Sequence, residues 1–177
     1  MNFSKELQKH IKSHGWKPNR KEFSNKLYME QNNYPQFIQD FMFEYGKLKI
    51  SDFTPEIPVK SEVINYINFD ISKTEGITGI SEGYTEQLGR KLYPIAHYTP
   101  ESYDVSIDEN GYVYLLGEYA FCCGKELYKG IENIIRMRVF DTLELDPAND
   151  DDEIWLEYKK GTNTVVDLET YNFKYNF

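Results

Sequence analysis

The spacing of apolar residues changes at Gly46, and that change sets the limits on the fold. Before it, Phe3, Leu7 and Ile11 recur every four residues, the mark of a helix with one buried face, and Gly15 ends the run. A second helix is predicted from about Arg20 or Lys21 to Asn32, burying Phe23 and Leu27. Pro35 opens a third, because a ring that fixes φ and lacks an N–H suits a first helical turn. Its buried stripe is Phe37, Ile38, Phe41, Met42 and Tyr45, and Gly46 is placed to take the left-handed conformation past the helix end.

After Gly46 the pattern is that of strands. Leu48 and Ile50 suggest a short one, and residues 63–71 alternate well enough for another. Residues 72–83, with three glycines, read as a loop, and 84–91 as a short helix. Strands are expected at 92–97, 102–107 and 112–116. The last two flank Asp108-Glu109-Asn110-Gly111, where Asn-Gly favours the positive φ angles of a hairpin turn. Residues 124–139 return to helical spacing through Leu127, Ile131, Ile134 and Ile135, and a last hairpin is expected from 154–159 and 164–168. No repeat or linker divides the chain, and its 177 residues suffice to bury one core without metal or disulfide. The prediction is a single α+β domain: N-terminal helices packed with a central, mostly antiparallel sheet and a C-terminal helix, plus a short extra C-terminal segment.

Charge narrows the partners. Twenty-nine acids against 20 lysines and arginines give a formal net charge of -9, which repels nucleic acid and attracts basic proteins. No apolar run is long enough to cross a bilayer, and the first residues hold no signal-peptide core. The two cysteines, Cys122 and Cys123, are adjacent and can pair with each other only through a strained ring. A reducing, cytoplasmic setting is expected.

Chemical motifs are few. Gly79-Ile80-Ser81-Glu82-Gly83 has the form of a hydrolase nucleophile elbow, but it lacks the buried strand before it that would hold the serine on a strained turn. His10 and His14 share a helix face without a third ligand, and residues 146–157 imitate a calcium loop with Ala148 where an oxygen belongs. No catalytic residue, metal or cofactor is expected. The run Asp150-Asp151-Asp152-Glu153 reads either as a solvated acidic loop or as part of a docking surface for a basic partner.

Other residues stand out together: Gly15-Trp16 with Arg20; Phe37-Ile38 through Tyr45-Gly46 and Leu48; Leu88-Gly89 followed by Leu92-Tyr93-Pro94-Ile95; Ile107-Asp108 with Gly111, Val113 and Tyr114; and Gly130-Ile131. In this order and spacing the chain resembles the third SUKH subfamily of bacterial immunity proteins, over about residues 7–140. The resemblance implies a compact α+β domain, residues 1–140, that binds and neutralises a secreted toxin. The toxins opposed by the superfamily include nucleases and deaminases, and the family carries no catalytic residues. Residues 141–177 have no counterpart and are expected to form an extension packed on the same domain. Ala96 follows Pro94-Ile95 where many relatives carry glycine. Gly15, Trp16, Arg20, Pro94, Asp108 and Gly111 are read as scaffold: Gly15 ends a helix, Trp16 packs between the first helix and the sheet, Arg20 holds a carboxylate or backbone carbonyls, Pro94 begins or edges a strand, and Gly111 turns the chain. Partner contacts are expected instead on loops and exposed aromatics, with Asp150, Asp151, Asp152, Glu153, Tyr98 and Tyr103 as candidates. A general intracellular adaptor or ligand-binding module of the same fold is the alternative, and a hydrolase acting through Ser81 a third reading.

Overall fold

The computed structural model describes residues 3–54, 65–74, 79–99, 102–137, 141–149, 152–159, 162–175 and 177. Helix α1 (Lys5–Ser13) starts where Ser4 Oγ accepts a hydrogen bond from the Leu7 N–H at 3.3 Å, and it buries Leu7 and Ile11. The predicted second helix is shorter than expected. Helix α2 spans only Lys26–Gln31, its buried residue is Met29, and Phe23 and Leu27 stay 51% and 66% exposed. The preceding residues bond elsewhere: the Glu22 N–H reaches the Phe43 carbonyl at 2.8 Å, and the Glu22 carboxylate takes the Ser24 N–H. Helix α3 (Gln36–Tyr45) follows Pro35 and buries Ile38, Phe41, Met42 and Tyr45, while Phe37 remains exposed. Gly46 is not left-handed; Lys47 takes φ +61° instead. Glycine is required at 46 because a Cβ would lie 2.5 Å from the Met42 carbonyl oxygen.

Among the described residues nine strands form one antiparallel sheet in chain order: β1 (Lys49–Ser51), β2 (Tyr66–Asn68), β3 (Leu92–Thr99), β4 (Tyr103–Asp108), β5 (Val113–Leu116), β6 (Ala120–Gly124), β7 (Leu143–Leu145), β8 (Trp155–Lys159) and β9 (Thr162–Val166). Helix α4 (Ile80–Leu88) links β2 to β3, and α5 (Leu127–Ile135) links β6 to β7. The pattern did not announce β6 or β7: Ala-Phe-Cys-Cys-Gly alternates no polar face, and β7 has three residues. Pro94 lies inside β3 rather than at its start. The missing N–H is tolerated because β2 reaches only His97–Thr99 and the register with β4 shifts between Pro94 and Ala96. In the β4–β5 turn only Gly111 has positive φ, and the Asp108 carboxylate closes the loop by accepting the Asn110 and Tyr112 N–H groups.

The sheet is covered on both sides. On face one, α1, α3 and α5 pack Leu7, Ile11, Phe41, Tyr45, Ile131 and Ile135 against Ile95, Val105, Ile107 and Val113. On face two, Leu88 of α4 joins Leu168 and Phe173 of the C-terminal segment over Tyr114, Leu116, Cys122, Leu143 and Trp155. Strand alternation therefore points Cys122 and Cys123 to opposite faces, and both thiols are free and buried. Ser4 ties α1 to α5: its N–H meets Glu132 at 2.9 Å, and Arg136 bridges Glu132 (2.8 Å) and Ser4 Oγ (3.0 Å).

Gly130 is where α5 comes closest to the sheet, since an added Cβ would stand 2.6 Å from Val113 Cβ. Gly130→Ala should cost about 1–2 kcal/mol, overpacking outweighing the helix-propensity gain of alanine. Urea titration should show a lower midpoint with an unchanged slope.

Candidate functional site

Strand β4 supplies the chemistry of face two. Its alternate side chains Asp104, Ser106 and Asp108 are buried there, opposite Val105 and Ile107, and each has a partner. His97 Nδ1 lies 3.0 Å from Asp104, Ser106 shares a 3.1 Å hydrogen bond with Ser81, and Tyr114 donates to Asp108 at 3.0 Å. Burial pushes the Asp108 carboxyl up, against the hydrogen bonds from Tyr112 and Tyr114 and the charge of Arg90.

Arg90 organises the end of this row. Its guanidinium donates to Glu153 through two 2.7 Å bonds and to the Tyr114 hydroxyl at 3.3 Å, and stands 3.9 Å from Asp108 and 3.8 Å from Glu169. Trp155 Nε1 donates to Glu153 at 2.7 Å, and Tyr112 donates to Glu169 at 2.9 Å. The hub thus links β4 and β5 to the segment after residue 141.

The candidate partner residues fall in different places. Asp150 and Asp151 lie outside the described residues, Asp152 is exposed, and Glu153 is turned inward onto Arg90. Tyr98 is not an exposed aromatic: it is 6% exposed, with its hydroxyl on the Asp52 carboxylate. Tyr103 is half-buried, 6.2 Å from the Phe121 ring and close above Gly117. Among the scaffold residues, Gly15 has φ +94° past the end of α1. Trp16 joins the face-one core and stacks on Tyr45 of α3 at 6.4 Å, with its indole N–H on Glu44 at 3.2 Å. Arg20 donates to the Glu44 carbonyl, so both residues fasten the 16–20 turn to the end of α3.

The catalytic motifs dissolve into structure. Ser81 is 1% exposed in the first turn of α4, its hydroxyl on Ser106, and no hydrogen bond joins it to His97. His10 and His14 clamp β1, with Nε2 atoms 2.8 Å from the Ser51 carbonyl and 3.0 Å from its hydroxyl. Burial lowers the pKa of His10, outweighing its bond to the Ser51 carbonyl, and the nearby His14 lowers it further. No group of His, Cys, Asp or Glu among the described residues is arranged to hold a metal ion, and none of their helices is long and apolar enough to cross a membrane.

Two surfaces among the described residues expose apolar side chains. One is a groove between the 19–23 turn and α3, lined by Arg20, Lys21, Phe23, Asp40, Phe43 and Glu44. The other is the part of face one beyond β5, where Leu115 and Phe121 are half-buried and Val165 is 68% exposed. Sequence reasoning missed the second, because it depends on β6 and β7. A signal was present nonetheless: residues 141–157 carry Asp141, Glu144, Asp146, Asp150, Asp151, Asp152, Glu153 and Glu157 and neither lysine nor arginine.

Replacing Arg90 with methionine leaves Asp108 and Glu153 without their cation, and should cost about 2–4 kcal/mol in urea denaturation, discounted for the partial exposure of Arg90. His10 gives a pH dependence of known sign. Because its folded pKa lies below the unfolded one, its stabilising effect is complete above about pH 6.5 and is lost as pH falls through the lowered value. Unfolding free energies measured from pH 7.5 to 5 should fall, and fall less steeply in His10→Gln.

The model of one family, described as SUKH-3 immunity protein, matches residues 3–137, from the start of the α1 region to just past α5. No curated protein and no solved structure matches the chain. The matched span contains the helical layer, α4, strands β1 to β6 and the Asp108–Arg90 end of the polar row. The chain belongs to the SUKH-3 immunity protein family.

Proposed function

We propose that this protein binds a toxin domain one to one and neutralises it, masking its active site or substrate path in the cytoplasm of the cell that carries both. The observation that carries the reading is the family match over residues 3–137. It is a binding role, not a catalytic one. The residues most suggestive of chemistry, Ser81, Asp108 and the adjacent cysteines, are sealed in the core and serve its packing. Burial raises both thiols, Cys123 to about 12, so neither is a ready nucleophile at neutral pH.

The partner is a basic protein such as a nuclease, or a deaminase acting on nucleic acid. A net charge of -9 steers such a partner into encounter, and apolar contacts then slow release. Residues 141–177 work as part of the same domain, since β7 to β9 continue the sheet and the following segment covers face two.

The test is the toxin domain encoded beside the gene. Co-expression should protect the host, and the two proteins should purify as a 1:1 complex whose association slows about tenfold or more between low and high salt. Ser81→Ala should bind as the wild type does. No complex and no protection would sink the proposal.

A further inference from the structure

On face one, five side chains stand directly opposite one another across neighbouring strands: Leu115 on β5, Phe121 on β6, Glu144 on β7, Leu156 on β8 and Val165 on β9. The same row continues inward to Val105 and Ala96, which the helical layer seals completely. Outward from β5 the cover among the described residues thins, with Leu156 still 9% exposed. Leu115 and Phe121 are half-buried, Val165 is 68% exposed, and Tyr103 lies beside Phe121 at the margin. At about 4.8 Å per strand, the strip from Leu115 to Val165 is about 19 Å long, a width suited to the centre of a protein interface.

Glu144 makes this strip more than an apolar patch. It sits between Phe121 and Leu156, half-buried, with no hydrogen-bond or ion-pair partner among the described residues. Burial and the nearby charge of Asp146 raise its pKa, which records a carboxylate that the free protein solvates poorly. The surrounding segment 141–157 carries neither lysine nor arginine, and Arg90 is held on face two by Glu153. The groove beside α3 differs in kind. Its charges have both signs, and Arg20 and Glu44 are already engaged with their own neighbours, so it presents no single charge for a partner to complement.

We propose that the open strip on face one is where the toxin docks, and that the toxin brings to it an apolar surface bearing an arginine or lysine that pairs with Glu144. The proposal rests on the immunity reading above and names its surface. A desolvated carboxylate ringed by apolar side chains is the setting in which an incoming arginine becomes a dominant contact, because both charges leave water with their hydrogen bonds made. Phe121 and Leu156 supply the dry ring, and Val165 extends it to the sheet edge.

The test is titration calorimetry of the toxin domain encoded beside the gene against the full chain and its variants. Glu144→Gln and Val165→Asp should each weaken binding tenfold or more, while Phe23→Ala on the α3 groove binds as wild type. Free Glu144→Gln should melt at or above the wild-type temperature, since a neutral isostere replaces a poorly solvated charge; a residue with a merely structural role would lose stability. Val165 is exposed, so its variant tests the strip without disturbing the core. Wild-type affinity in both strip variants, or a loss confined to Phe23→Ala, would overturn the assignment and leave the immunity reading intact. A free protein that is dimeric and becomes monomeric as Val165→Asp would also overturn it, giving the strip to a second copy of the chain. Failure of the wild type itself to bind removes the immunity reading, and the strip assignment with it.

Discussion

A strand buried on both faces cannot carry unpaired polar groups, and β4 is buried on both faces while presenting Asp104, Ser106 and Asp108 to one of them. The helix above face two and the strands beside β4 therefore supply its polar partners. Helix α4 contributes Ser81 along with Leu88, β3 contributes His97, and β5 contributes Tyr114. Arg90 closes the row from the α4–β3 connection, and Glu153 neutralises it from a part of the chain 63 residues later. A half-satisfied row of this kind would be worse than an apolar one, which ties the C-terminal region energetically to the central strands.

The C-terminal segment completes that cover as a strap. Tyr171, Phe173, Tyr175 and Phe177 present their rings in succession, at centroid separations of 4.9, 6.2 and 6.0 Å. Tyr175 reaches the β6–α5 connection, where its hydroxyl accepts the Lys125 N–H, and Phe177 lies against the Arg136 guanidinium at 5.2 Å. Arg136 is also the residue that fastens α1 to α5 through Ser4 and Glu132. The strap thus runs from the edge of the sheet to the network that closes the helical layer.

Covering face two so fully leaves face one to differ along its length. Helices α1, α3 and α5 cover the central strands as far as Cys123 of β6, and the last strands lengthen the sheet beyond it. A surface made this way is held rigidly by the ladder beneath it, so a partner meets side chains already in place and little ordering entropy is lost on binding.

Helical spacing in α1 and α3, the strands at β3, β4 and β5, the Asp108–Gly111 turn and the family motifs were all legible from residue order, because each depends on neighbours within a few positions. Local signals failed where partners come from afar. Phe23 and Leu27 have helical spacing, yet the 20–25 backbone bonds to α3 and leaves them exposed. Trp16 finds its stacking partner, Tyr45, and its hydrogen-bond acceptor, Glu44, on α3, about 28 residues along the chain. Strands β6 and β7 carry no alternation, because β6 has no polar side chain on either face and β7 is too short to show a period. By itself, then, the sequence determined the class of fold, the family and the acidic character of the surface, all properties of composition and short-range pattern. Only the tertiary structure decided which acids are spent internally and which stand open, since Glu153 and Glu144 lie nine residues apart in one acidic segment, yet the turn before β8 sets Glu153 on Arg90 while β7 presents Glu144 on face one, onto no cation among the described residues.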